Sequence, residues 1–361
     1  MTDWQPNNPH NGLPLLPPRG FALGDEGQKW LLQAHVELAR LQEWLAAVPS
    51  TNALVASIPI VECQASSEIE NIVTTKDHIF QRVANAKHVG DQLDEVWANR
   101  TALLTGYSKV GNRPISQRLA QELCSLLLGH EVEIRSGTGT YIGNANRVVY
   151  TPPMGREILE GKLRNLEVFL NTSDEGVPNL DPLVKMAIAH YQFEAIHPFH
   201  DGNGRTGRML NVLYLVQAGL IDAPVLHMSR IINERREEYY RLLLAVTSAG
   251  NWTEWVSFML QVVCQSASLV LNQMKKLESL RTKAKESLEA AGLKPQLAAG
   301  IALIAFTNPY FRQSDLAKTF KVSRPTLTKW VKLLIENQIV SEQQVGRDKY
   351  YINDTMLRVL A

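Results

Sequence analysis

His197-Pro198-Phe199-His200-Asp201-Gly202-Asn203-Gly204-Arg205-Thr206-Gly207-Arg208 is the densest chemical stretch of this chain. It lies between two helix-periodic segments, 181–196 and 205–218. Gly202, Asn203 and Gly204 let the backbone turn tightly and bring several N–H groups close to a ligand. The helix that starts near Arg205 aims its positive end at the same place, which suits an anion and above all a phosphate. Arg205 and Arg208, three residues apart on one helix face, can fork onto two phosphates. Asp201 beside them suits a Mg²⁺ ion bridging phosphate oxygens. His197, just before the turn, is placed to take a proton from an attacking hydroxyl. A polar helix cap with surface arginines would not need so many specialised residues in twelve positions.

Outward from this loop, helical periodicity dominates. The segment 27–47 puts Leu31, Leu32, Val36, Leu38, Leu41 and Trp44 on a broad apolar stripe, ended by Pro49 and Ser50. Further helices are expected at about 61–72, at 76–86 after Thr74-Thr75, and at 91–109, 115–128, 156–171, 234–248 and 252–290. The first twenty residues carry five prolines and three asparagines and predict an extended arm. The segment 131–153 breaks the pattern: short alternating stretches, three glycines and a double proline predict a β-hairpin flap. After a helix stop at 290–295, residues 296–361 look like a separate small unit. Helices are expected there at 297–307 and 313–320, with Ser323 and Pro325 opening a third that buries Leu327, Val331 and Leu334. A two-stranded wing turning at Gly346 follows, and the unit resembles a winged helix-turn-helix domain.

Composition narrows the class. The 361 residues have 37 Lys+Arg against 36 Asp+Glu, and 45% are hydrophobic, which excludes a wholly disordered or collagen-like chain. The best apolar run, near 209–221, is short and holds Asn211 and Gln217, so no membrane partner is expected. Cys63, Cys124 and Cys264 are far apart and form no zinc or disulfide pattern. With no secretion-like start, a cytoplasmic protein is expected.

The loop resembles the signature of the Fic-domain family, HxFx(D/E)GNGRxxR, with every fixed position present, and the resemblance extends over about residues 50–260. It implies a mostly α fold: a Fic-type helical core with a β-hairpin flap, here followed by the winged-helix unit. The organisation expected is 1–110, an N-terminal helical region; 111–260, the catalytic core; 261–295, a connecting helix and linker; and 296–361, the C-terminal domain. The implied activity is transfer of AMP from ATP, with Mg²⁺, to a Tyr, Thr or Ser hydroxyl of a target protein, releasing pyrophosphate. His197 would be the base, Phe199 the buried anchor and Asp201 the metal ligand. Gly202, Asn203, Gly204, Arg205, Thr206, Gly207 and Arg208 would hold the phosphates.

Ser66-Ser67-Glu68-Ile69-Glu70-Asn71 resembles the family's inhibitory motif (S/T)xxxE(G/N) at Ser66, Glu70 and Asn71. A bidentate pair between Glu70 and Arg208 would misalign bound ATP and keep basal activity low. The flap residues Thr138, Gly139, Thr140, Tyr141, Ile142 and Gly143 would dock the target backbone as an added strand. Tyr239 and Tyr240 resemble the family's aromatic pair near adenine, whereas His190 is expected in the core and His200 at a variable position. Transfer of UMP, phosphate or phosphocholine, removal of AMP, and a DNA-binding regulator whose core senses nucleotide are the alternatives. Residues 297–361 hold nine Lys+Arg and five Asp+Glu, with Arg324, Thr328, Lys329 and Lys332 on the third helix and Arg347 and Lys349 in the wing. That pattern makes DNA a candidate partner. A homodimer is also expected by resemblance.

Overall fold

The computed structural model describes residues 4–47, 57–72, 91–137, 140–144, 147–172, 180–307, 309–345 and 348–360. The expected helix 76–86, the Pro49-Ser50 break, Thr138, Gly139, Gly346 and Arg347 lie outside the described residues. Helix dominates what is described, and strands are few and short.

The N-terminal region contributes α1 (Asp25–Ala47), α2 (Ile58–Ile69) and α3 (Asp91–Val110). The central body adds α4 (Gln117–Leu128), β1 (Ile142–Asn144), β2 (Arg147–Tyr150), α5 (Arg156–Asn171), α6 (Pro182–Ile196) and α7 (Asn203–Gln217). It closes with α8 (Met228–Glu234), α9 (Arg236–Ala249) and α10 (Trp252–Ala290). The polypeptide then forms α11 (Pro295–Thr307), β3 (Tyr310–Phe311), α12 (Gln313–Phe320), α13 (Arg324–Glu336), β4 (Ser341–Val345), β5 (Asp348–Ile352) and α14 (Asp354–Leu360).

Helix α6 is the central pillar. Asp181 caps it by accepting from the Leu183 N–H at 2.8 Å, and Pro182 occupies a first-turn position that needs no N–H donor. Almost every side chain of α6 is buried, so this helix is wrapped on all sides rather than amphipathic. It packs on α5, α7 and α10. Helix α4 is framed by a Ser116 cap, accepting from Leu119 N–H at 3.2 Å, and by Gly129 at φ 74°. The proline-rich arm lies over this body: Lys162 Nζ donates to Leu13 O at 2.6 Å and Asn165 Nδ2 to Leu16 O at 3.0 Å.

Several expectations are corrected. On α1 the core side is made by Gly27, Ala34, Leu38 and Leu41, while Leu32 and Val36 face solvent at 67% and 46% exposure. The stripe is therefore narrower than the apolar residues imply. The helix expected at 234–248 is present as α9, and the short α8 precedes it across Arg235, whose guanidinium lies 4.6 Å over the Phe258 ring and bonds Glu238 and Gln261. The short α8, β3 and α14 had no clear periodic signal. The expected hairpin of 131–153 contracts to β1 and β2, antiparallel with Gly143 opposite Val148. A Cβ on Gly143 would come within 2.3 Å of Arg147 O, so glycine is what allows the strands to approach.

The longest apolar stretch is also elsewhere than expected. Helix α10 contains a window apolar and long enough to cross a membrane, but 72% of it is buried inside the structure. It packs against α1, α6, α8, α11 and α14, and runs unbroken through residue 261. In the C-terminal unit the three strands order as β3-β5-β4, with Ser341 opposite Ile352 and Gln343 opposite Tyr350. Leu316, Leu327, Val331, Leu334 and Tyr350 are buried there, giving the unit apolar packing of its own.

Candidate functional site

The turn after His197 joins two largely buried helices, α6 and α7. His197 ends α6 in the left-handed conformation, φ 50°, and Gly202 starts α7 at φ 77°. A Cβ at Gly202 would also press on Cys124 Sγ at 3.0 Å, so both conformation and space call for glycine. Asn203 locks the loop: its Oδ1 accepts from Phe199 N–H and its Nδ2 donates to Phe199 O, each at 2.8 Å. The side-chain amide of Asn203 is thus committed to the loop itself. Phe199 is 1% exposed and meets Phe193 edge-on at 6.3 Å.

His197 is partly buried, and its imidazole is held down to about 4, first by desolvation and then by the nearby charge of Arg135. It is neutral at ordinary pH and able to accept a proton.

Arg205 and Arg208 are 2% and 3% exposed. Arg208 Nε donates to Ser66 Oγ at 3.0 Å, and Nη2 donates to Ser66 O and to Glu70 Oε1, each at 2.9 Å. The Glu70 pair is therefore not bidentate as expected, because Ser66 takes much of the guanidinium's fork. The Glu70 carboxylate also sits over Gly204, where a Cβ would lie 2.3 Å from Oε1. Gly204 is thus the opening through which an acid reaches the start of α7. Burial would raise Glu70, but the charge and hydrogen bond of Arg208, with the charge of Arg205, outweigh it and hold the carboxyl below its ordinary range.

Local backbone geometry explains the sequence around Glu70. Helix α2 stops at Ile69, three residues before the expected end, because Asn71 turns left-handed at φ 63°. Ile72 N–H returns to Ser67 O at 3.1 Å and closes the helix end. Asparagine and glycine tolerate that conformation best, so a Gly/Asn alternative after the glutamate has a physical cause. Asn71 Oδ1 additionally accepts from Arg236 Nη1 at 3.1 Å.

Three carboxylates of this centre were missed. Glu95 on α3 pairs with Arg205, which also reaches Asp201 at 3.4 Å. Glu62 on α2 accepts from the Ser229 backbone N–H at 3.0 Å and hydroxyl at 2.6 Å, pinning α2 to the start of α8. Glu194, three residues before His197, is partly buried beside Gly207 and rises to about 7, through desolvation offset in part by Arg208. A lone glutamate in the apolar run MAIAHYQFEAI was the available signal for Glu194. Glu62 and Glu95 had none, since their partners are remote in sequence.

Other expected residues are placed less uniformly. Tyr239 is 1% exposed, with its hydroxyl 2.9 Å from His190 Nε2 and its ring against Trp255. It is a core residue, whereas Tyr240 keeps its ring 42% exposed. Thr206 and Gly207 are buried on the inner side of α7. Thr140 and Tyr141 precede β1, and Ile142 and Gly143 lie on it, with Tyr141 53% exposed. Asp201 carries an exposed carboxylate, one oxygen of which accepts from Gly202 N–H at 2.5 Å. A surface groove opens next to it, lined by His130, Glu133, Arg135 and His200.

Comparison with known proteins agrees with this fold. Family models described as Fic/DOC family N-terminal, Fic/DOC family, and Protein adenylyltransferase SoFic-like, C-terminal domain match residues 28–108, 114–215 and 300–356. The protein adenylyltransferase fic-1 of Caenorhabditis elegans is 32% identical over 142 residues, 38% of this chain and 25% of the relative. The protein adenylyltransferase Fic of Drosophila grimshawi is 32% identical over 154 residues, 42% of this chain and 29% of the relative. The aligned part is thus under a third of these curated relatives. A crystal structure of a Fic family protein from Desulfovibrio desulfuricans G20 covers 93% of this chain and 98% of its own, with a TM-score of 0.59 at 24% identity. Fic-1 from C. elegans covers 69% of this chain and 73% of its own, with a TM-score of 0.54 at 23% identity. The chain is a Fic-domain protein.

Proposed function

We propose that this protein transfers the AMP moiety of ATP to a Tyr, Thr or Ser hydroxyl of a target protein, and that Glu70 restrains it. One observation carries the reading: an ionised carboxylate, Glu70, lies at the start of α7 on Arg208, where the turn is built to receive a phosphate. The names of the curated relatives, protein adenylyltransferases, support the same activity.

In this reading the target hydroxyl oxygen attacks the α-phosphorus and its proton passes to the neutral His197 imidazole. The bond from the α-phosphorus to the α,β-bridging oxygen breaks, and pyrophosphate leaves. The backbone N–H groups at the start of α7, with Arg205 and Arg208, hold the phosphates and take up the charge that builds on the leaving group. Asp201 offers an exposed oxygen as a Mg²⁺ ligand, in keeping with an ion held by one carboxylate, waters and substrate phosphates. Magnesium at that position would neutralise charge between neighbouring phosphates. Among the described residues no larger His/Cys/Asp/Glu cluster is set to hold a metal. Tyr240 offers a ring face for adenine. Strand β1 pairs only with β2 among the described residues, and its other edge, through Thr140–Gly143, receives the target backbone.

Restraint follows from the charges. ATP must displace Glu70 from Arg208 or bind around it, which tilts the α-phosphate away from attack. ATP labelled at the α- and, separately, the γ-phosphate tests the transferred group in Glu70→Gly protein. AMP transfer predicts protein label from the α position alone. Label from the γ position alone means phosphate transfer and rejects the reading.

A second reading concerns the C-terminal unit, inferred to be a winged helix-turn-helix that meets DNA. The supporting observation is the exposure of Arg324, Thr328, Lys329 and Lys332 on α13. Lys332 and Lys349 are already paired with Glu336 and Glu342, which weakens the field. Duplex binding that falls steeply with salt is the expected result, and binding absent even at low salt rejects it.

A further inference from the structure

Arg135 has a basic side chain that touches the catalytic turn without joining the anion site. It belongs to the extended stretch between α4 and β1, and it is 2% exposed. A guanidinium so deeply buried ordinarily has a carboxylate beside it. Here the described partners are carbonyl oxygens. Nε donates to His197 O at 2.7 Å, and Nη2 donates to Pro153 O at 2.6 Å and Ile196 O at 3.1 Å. The Arg135 backbone N–H adds a bond to Pro198 O at 3.0 Å.

These contacts converge on two places that the reaction must keep in register. Ile196, His197 and Pro198 form the end of α6 and the left-handed turn that sets the imidazole. Pro153 follows β2, so Arg135 and Pro153 mark the approach and the departure of the flap. A cation at this helix end also satisfies carbonyls left without partners in the last turn.

The geometry points to Arg135 as a positioning residue that locks His197 in its turn and fastens both ends of the flap to that turn. This rests on the reading of His197 as the proton acceptor and of the flap as the target's docking edge. Lysine cannot substitute fully, since a single ammonium lacks the planar fork that spans the carbonyls.

The charged groups acting on the imidazole are Arg135 from the flap approach and Glu70 from the end of α2, with the Glu194 carbonyl from α6 itself. Removing Glu70 leaves Arg135 as the only one of the two charges, which simplifies the test. Glu70→Gly protein is compared with Glu70→Gly/Arg135→Met, Glu70→Gly/Arg135→Lys and Glu70→Gly/His197→Ala. Three quantities are measured: ATP affinity by titration, the rate of protein labelling from α-labelled ATP, and the His197 titration by histidine NMR. The spectrum of the His197→Ala protein assigns the resonance.

The expected result for Arg135→Met is a labelling rate down by about 10²-fold with ATP affinity held within about threefold, since misplacing a reacting group costs turnover more than binding. The His197 titration rises relative to the Glu70→Gly protein, with burial still holding it below its ordinary range, and Arg135→Lys falls between. Unchanged labelling and unchanged titration overturn the proposal. So does loss of ATP binding and thermal stability in step with labelling, in both the Met and Lys proteins, which would make Arg135 a fold residue only. If Glu70→Gly protein labels nothing, the transfer reading fails by itself. The NMR titration then still decides Arg135: a shift supports its hold on His197, and no shift refutes it.

Discussion

Two sets of basic side chains in this molecule can meet phosphate, and they are built in opposite ways. Arg205 and Arg208 on α7 are almost fully buried and already bonded to Glu95, Asp201, Ser66 and Glu70. Arg324, Lys329 and Lys332 on α13 are exposed, and Lys332 pairs with its own-helix neighbour Glu336. The first set is oriented before any ligand arrives, so it can discriminate the position of one phosphorus atom. The second set is solvated and mobile on its stems, which suits a diffuse polyanion or simple solubility. In the proposed reading, preorganisation rather than the count of positive charges marks the reaction centre.

The sharpest way to break this contrast is to remove the proposed general base. His197→Ala in Glu70→Gly protein should lower labelling by roughly 10²–10⁴-fold, the usual worth of a general base, with the fold intact by circular dichroism. Retained labelling would mean that the buried turn binds but does not carry the chemistry.

Burial also has a cost. Glu194 holds its proton to about 7 when folded, against 4.5 for the free group. Between those values the folded chain binds more protons than the unfolded one, so stability falls as pH rises through that window. Glu194→Gln should therefore raise the melting temperature more near pH 8 than near pH 5, by an amount worth about 1–3 kcal/mol. An equal effect at both pH values would show that Glu194 ionises freely in the folded state.

The smallest effect is expected on the exposed set. Lys329→Glu should leave labelling unchanged and alter stability by no more than ~0.5 kcal/mol, as for other surface positions. If the C-terminal unit meets DNA, the same change lowers the salt slope of binding by about one. A large loss of labelling instead would tie α13 to the catalytic body.

Much of this site was legible in the sequence because its residues are close together along it. The turn 197–208 placed a base, two arginines, an acid and three turn-formers in one run, and the structure keeps them together. Glu70 was legible only through its spacing from Ser66 and Asn71, and Asn71 at φ 63° supplies the reason for that spacing. The arrangement of the fork on Arg208 was not legible, since local sequence does not say how a serine carbonyl and hydroxyl will compete with a carboxylate. Glu95, Glu62 and Arg135 act through residues 110, 167 and 62 positions away, where no periodicity reaches. Tyr239 illustrates the opposite failure. A tandem aromatic pair on a helix must divide its rings between core and surface, and here Tyr239 went inward and Tyr240 outward.

The most direct test of the central claim is the rate of protein labelling from α-labelled ATP with Mg²⁺, wild type against Glu70→Gly. Glu70 makes one charged hydrogen bond to Arg208 and is 36% exposed, so its hold is worth about 1–2 kcal/mol after solvent screening. Its removal should raise labelling by ~5–30-fold. Equal labelling by the two proteins, at saturating ATP, would contradict the account of Glu70 as the acid that occupies the phosphate's place.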